Sequence, residues 1–330
     1  MNSGSGAGGA VHAVTESRRC PAAESGAFDR NLPADLLAGY RAAGMASALV
    51  RPFDSGVASN RFILLVTPLT GVVAGVVSMA AGEGLGEAWR RGVSGGGAAF
   101  LSWAIGRELD PDRPSTACVA ASLGPWLILI GSPDLLGAAL TLLIVRMVAG
   151  TTGRWPTRAD AVVMVIAAAA VAARATGTGF AAVAVLGVAV AAIYEPQARS
   201  RMLIGAAAMA SAGAGAVWWA GRSPTGPTTP GDAALVLFIA GVAAAGLSVV
   251  LLRRVAAPTD RAHGGTVSTA RVRLARVIVA AAALGAWLWA GDSGVLAAAP
   301  LWTALGASVI VFVGSGFGAL FRSRRPVGDP

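Results

Sequence analysis

Apolar residues in this chain come in long blocks separated by short polar breaks. Ten such blocks follow residue 60, at about 62–81, 88–106, 115–131, 133–150, 159–174, 178–194, 202–221, 232–252, 274–291 and 300–321. A helix rises about 1.5 Å per residue, and a bilayer's hydrocarbon core is about 30 Å thick. The blocks are therefore long enough to span, several of them at the short end. The expected fold is all-α: a polytopic integral membrane helix bundle of about ten transmembrane helices, filling residues 61–321.

The breaks differ in strength. Ser132 and Pro133 separate the third and fourth blocks and predict a tight helical hairpin. Weaker breaks fall at Ala175-Thr176-Gly177 and at Gly291-Asp292-Ser293-Gly294, so nine or eleven spans remain open.

Residues 1–60 hold no block of spanning length and begin with a Gly/Ser-rich stretch, the pattern of a flexible cytoplasmic tail. No basic region precedes an apolar one there, so no cleavable signal peptide is expected. Residues 33–50 could form one helix lying on the membrane surface. Residues 322–330 read as a second cytoplasmic tail.

Composition agrees. Of 330 residues 55% are hydrophobic and only 13% charged, with mean hydropathy +0.65. A soluble domain carries about 25% charged residues. All 26 basic residues are arginine, a bias that fits a GC-rich, bacterial coding sequence. The net charge of +9 could signal nucleic acid. Most arginines flank apolar blocks, however, so membrane topology accounts for them and no nucleic-acid partner is expected.

With the N-terminus inside and ten alternating spans, only Arg90, Arg91, Arg174 and Arg222 fall outside. That asymmetry obeys the positive-inside rule and predicts both termini in the cytoplasm. The expected location is a cell membrane.

Within the apolar blocks three Gly-xxx-Gly spacings, Gly71/Gly75, Gly92/Gly96 and Gly314/Gly318, suit close helix packing. The ten spans also divide into two fives, an inverted repeat if real. Cys20 and Cys118 offer no framework, and His12 and His263 no metal motif. Walker A and His-Glu-x-x-His motifs are absent from the sequence. The literal matches to G-x-G-x-x-G at Gly4–Gly9 and to Gly-x-Ser-x-Gly at Gly92–Gly96 follow no expected strand, so neither reads as a dinucleotide fingerprint or a nucleophile elbow.

The densest polar stretch is Gly106–Pro114. It carries Arg107, Glu108, Asp110, Asp112 and Arg113 between two apolar blocks. Pro111 and Pro114 prevent one continuous helix. Asp110 and Asp112, two residues apart, could share a hard cation such as Mg²⁺, which takes one or two carboxylates plus substrate phosphates. The simpler reading is a charged cytoplasmic loop in which Asp112 or Ser115 caps the next helix.

Arg146, one turn inside the fourth span, either snorkels to the interface or pairs with Glu108 or Asp110. Glu195 either completes the acidic site or pairs with Arg199. The candidate cluster is thus Arg107, Glu108, Asp110, Asp112, Arg113, Arg146 and Glu195. The Arg-rich loop at 253–276 could touch anionic lipid or a protein partner, and the glycine pairs could serve a homo-oligomer.

Three functions fit these features. The first is a transporter or permease for a small solute or lipid precursor. The second is a membrane-embedded enzyme acting on a lipid-linked phosphate. The third is a non-catalytic scaffold subunit.

Overall fold

Ten α-helices form among the described residues, one in each apolar block, and prolines, glycines and caps set their limits. The computed structural model describes residues 47, 49, 56–129, 131–152, 156–224, 231–252, 254–257 and 266–323. All of these belong to one compact unit, Gly44–Pro330. Residues 1–46, and with them most of the expected tail and surface helix, lie outside the described residues. So do Arg154 and Trp155, most of the 253–265 loop and the last seven residues.

The helices are α1 (Ala58–Ala80), α2 (Leu85–Leu109), α3 (Pro114–Leu123), α4 (Leu135–Ala149), α5 (Arg158–Ala172), α6 (Thr178–Tyr194), α7 (Arg199–Trp219), α8 (Asp232–Val250), α9 (Thr269–Ala297) and α10 (Ala299–Ser323). No extended strand occurs among the described residues. Four helices, α1, α7, α8 and α9, are long and apolar enough to cross a membrane. Leu135–Ala149, Thr178–Tyr194 and Ala299–Ser315 are apolar but shorter.

The third block departs from expectation. It is not one helix meeting a tight hairpin. The α-helix stops at Leu123, and Gly124–Leu129 continues as a 3₁₀ helix. Pro125 has no N–H to donate to the carbonyl four residues back, so the α ladder cannot pass it. Residues 131–134 are not helical, and the Asp134 carboxylate accepts from Gly137 N–H (3.1 Å) and caps α4. The expected break near Gly291 is present as a kink in α9, with Gly291 at φ 53°. Only glycine adopts such a backbone without strain.

Glycine pairs bring α1 and α2 together. A Cβ on Gly92 would lie 3.0 Å from Gly71 O, and one on Gly96 would lie 2.8 Å from Thr67 O. Gly71 faces Gly92 O in return, at 3.1 Å. Two of the three Gly-xxx-Gly motifs therefore interlock, backbone against backbone, the close approach that small residues permit in lipid. At the third motif, a Cβ on Gly314 would meet nothing within 4 Å.

The core is built mainly from Ala, Val, Ile and Leu of α2, α4, α6, α9 and the first part of α10. Phe180 fills the space beside Gly137. By contrast α1, α7 and α8 keep long apolar faces exposed, including Leu65, Val72, Ile204 and Val236. Such faces suit hydrocarbon as solvent.

Candidate functional site

Helix ends carry the polar chemistry, and they gather at two opposite ends of the bundle. One end holds the C-termini of α2, α4, α6 and α8 with the N-termini of α3 and α9. Here Glu108, at the end of α2, is fully buried. Its Oε1 accepts from Arg146 Nε at 3.0 Å, and its Oε2 accepts from the Thr151 hydroxyl. Arg146 also donates from Nη1 to Leu49 O (2.9 Å). The pairing alternative for Arg146 is therefore the one the fold adopts; the guanidinium does not snorkel.

Glu195 takes neither expected role. Its Oε1 accepts from Arg271 Nη1 at 2.7 Å, across 76 residues of sequence, rather than from Arg199. Arg271 also donates to Val148 O (2.7 Å) and Met147 O (2.9 Å) and lies over the Tyr194 ring. The last carbonyls of a helix lack intrahelical partners and carry partial negative charge, and the guanidinium meets both needs of α4. Gly150 makes room for it. The residue sits at φ 66°, and a Cβ there would lie 2.7 Å from the guanidinium carbon.

Arg276, one and a half turns further along α9, is only 3% exposed. It donates from Nε (3.0 Å) and Nη2 (2.7 Å) to Leu109 O, the last carbonyl of α2, and from Nη1 to Ser248 O near the end of α8. Two arginines of one helix thus close the ends of three others. From the sequence, Arg271 and Arg276 belong to the Arg-rich 253–276 loop, expected to touch anionic lipid or a protein partner. The missed signal was that Arg276 lies inside an apolar block, where an ionisable residue needs an internal partner.

The two aspartates go different ways. Asp110 is buried; its Oδ2 accepts from the Thr116 hydroxyl (2.9 Å) and lies 3.5 Å from Arg113 Nη1. Burial pushes its carboxyl above the usual aspartate range, while the Thr116 hydrogen bond and the Arg113 and Arg276 guanidiniums pull it back. Asp112 accepts instead from the backbone N–H groups of Ala256 (3.0 Å) and Ala257 (2.6 Å), tying the chain beyond α8 to this end. Neither Asp112 nor Ser115 caps α3, whose first residue is Pro114 with Arg113 in the cap position. Arg107 points away to Asn60 Oδ1 (2.6 Å) and lies over Trp103. Arg113 lies over Phe312.

Of the seven candidates, then, Glu108 and Arg146 meet one another, as do Asp110 and Arg113. Arg107, Asp112 and Glu195 go to three other partners. No group of three or more His, Cys, Asp or Glu side chains with metal-holding geometry occurs among the described residues.

At the opposite end, Asp134 accepts from Arg174 Nε (3.2 Å) and the Thr176 hydroxyl (2.8 Å) besides capping α4. Glu83 and Glu87 hold Arg90 and Arg91 at the start of α2.

Between the two ends lies a polar spot that sequence reasoning passed over. The Ser102 hydroxyl of α2 accepts from the Thr303 hydroxyl of α10 at 2.9 Å, both buried. The α3 break abuts it. A Cβ on Gly124 would lie 2.5 Å from Ser102 Oγ, so only glycine fits. Serine and threonine within apolar helices gave no signal, because both are common there as helix-packing residues.

Comparison with known protein families, characterised proteins and solved structures finds nothing similar to this chain.

Proposed function

We propose that the chain is a multi-pass permease for a small, uncharged polar solute. The observation that carries this reading is the interruption of α3 at Gly124–Pro125 against the buried Ser102–Thr303 hydroxyl pair. Non-helical backbone at membrane depth is tolerated where it is buried in protein or lines a pathway, and transporters place their solute sites at such breaks. Hydroxyls and backbone groups recognise neutral polar solutes, and no described carboxylate or guanidinium touches this spot.

On this reading all ten helices cross the bilayer, with the Glu108 end facing the cytoplasm as the arginine distribution favours. The short α4 and α6 cross where neighbours cover them, with local thinning of the bilayer making up the length. The enzyme reading receives less support, because Glu108, Asp110, Asp112 and Glu195 are each committed to a cation, a hydroxyl or backbone N–H groups. An inverted five-plus-five repeat is not part of the proposal, since α8, the counterpart of the broken α3, is continuous.

The test is uptake into vesicles reconstituted with the protein, across a panel of labelled amino acids, polyols and sugars. One class should accumulate above empty vesicles, and Ser102→Ala with Thr303→Val should lower that uptake without releasing the protein from the membrane. Uptake equal to that of empty vesicles across the panel would sink the proposal.

A further inference from the structure

An open groove runs between α6 and α7, with the end of α5 at its mouth. Its volume is about 700 Å³. Ala182, Leu186, Ala210 and Ala214 line its exposed walls, and Met209 and Gly213 its buried floor. The lining is apolar except at one end, where Thr178, Trp218 and Arg222 surround the opening. Arg222 donates from Nε to Ala173 O (3.3 Å), the cap of α5. That bond holds the exposed guanidinium over the mouth.

We propose that this groove holds one acyl chain of an anionic phospholipid, with the lipid phosphate at Arg222. Polarity, length and direction carry the proposal. A phosphate ester with an acyl chain is negative at one end and apolar along the rest, the complement of a groove with one cation at its mouth. From Met209 to Trp219, the last residue of α7, the groove follows the helix for about 15 Å at 1.5 Å per residue, and Arg222 lies just beyond. The hydrocarbon of one leaflet is about 15 Å deep, which leaves Arg222 at the level of the headgroups. The groove also runs along the helices, as acyl chains do in a bilayer, and its walls face outward. Trp218, 83% exposed beside the mouth, is placed as an interfacial tryptophan would be. A guanidinium binds a phosphate through paired N–H donors, so Arg222 recognises the phosphate as well as attracting it.

The proposal rests on the bundle being embedded in a membrane but not on transport. Its test is the phospholipid retained by the full chain purified in mild detergent, measured by native mass spectrometry. Carbonate extraction and thermal unfolding of the same preparations report insertion and folding separately. Wild type should retain anionic phospholipid above its share of the source membrane. Arg222→Gln should lower that enrichment about fivefold, the factor one basic residue contributes at an anionic surface. Arg90→Gln, which removes a charge at the same end away from the groove, should not. Ala214→Phe should lower retention of every headgroup class, because it fills the acyl channel, and Ala182→Leu serves if that variant unfolds. Equal retention by wild type and all groove variants overturns the proposal, as does a second copy of the chain in place of lipid. Loss in Ala214→Phe without loss in Arg222→Gln overturns the assignment of the phosphate to Arg222. Release of wild type by carbonate overturns the embedding on which the proposal rests.

Discussion

Two charged clusters at opposite ends of the bundle use the same residue types in opposite ways. At the Asp134 end, Glu83 and Glu87 hold Arg90 and Arg91 mostly within one helix, and these side chains are a quarter to a half exposed. At the other end, Glu108, Glu195, Arg271 and Arg276 are buried or nearly so and join α2, α4, α6, α8 and α9. Solvent screens the first set and competes for its hydrogen bonds, so its worth is small. The second set has left water, and each member depends on its partners. Charge density along the chain therefore says little about energetic weight. What decides the weight is whether the partner lies in the same turn or in another helix.

The comparison breaks most readily at Arg276. Arg276→Ala leaves Leu109 O and Ser248 O without their donors and should destabilise the fold by about 3 to 5 kcal/mol. Thermal unfolding in detergent measures it. A melting temperature near that of wild type would mean that the arginine is not the clamp described.

Next comes the Glu108–Arg146 pair. Glu108→Ala strands a largely buried guanidinium and should cost about 3 kcal/mol. Glu108→Met combined with Arg146→Met removes both charges and should recover most of that loss in the same measurement. No recovery in the double variant would show that the pair's bonds to Thr151 and Leu49 matter more than its charges.

Asp110 sharpens the comparison through pH. Its folded carboxyl titrates above the unfolded one because burial disfavours the charged form. Between those two values the folded state holds more protons, so stability falls as pH rises through that window. Asp110→Asn keeps an acceptor for the Thr116 hydroxyl and removes the charge. It should flatten this fall and leave stability at neutral pH equal to or slightly above wild type. A steeper pH dependence in the variant would reverse the assignment.

The smallest effect is expected at the exposed end. Glu87→Gln should leave the melting temperature unchanged within measurement error, since its arginine partners remain solvated. A loss comparable to that at Glu108 would erase the contrast between the two ends.

Hydrophobic blocks alone determined that this chain is helical, where each helix lies, and that hydrocarbon suits its outer faces. Block length and composition are local properties, and a helix satisfies its own backbone within the block. Local chemistry also determined the break at Gly291, because glycine's freedom from a Cβ is a property of the residue. It permitted the close contact of α1 with α2 without choosing the partner, since the same spacing at Gly314 meets nothing. Pro125 made the interruption of α3 equally legible, yet it was passed over in favour of the break at Pro133.

Only the tertiary structure decided which charges meet. Glu108 with Arg146, Glu195 with Arg271, and Arg276 with the ends of α2 and α8 are separated by 28 to 167 residues. No spacing rule reaches that far, since such pairs form only when helix packing brings two ends to one depth. The same holds for Ser102 and Thr303, 201 residues apart. Two ordinary hydroxyls became a candidate solute contact because packing set them against the one place where α3 gives way.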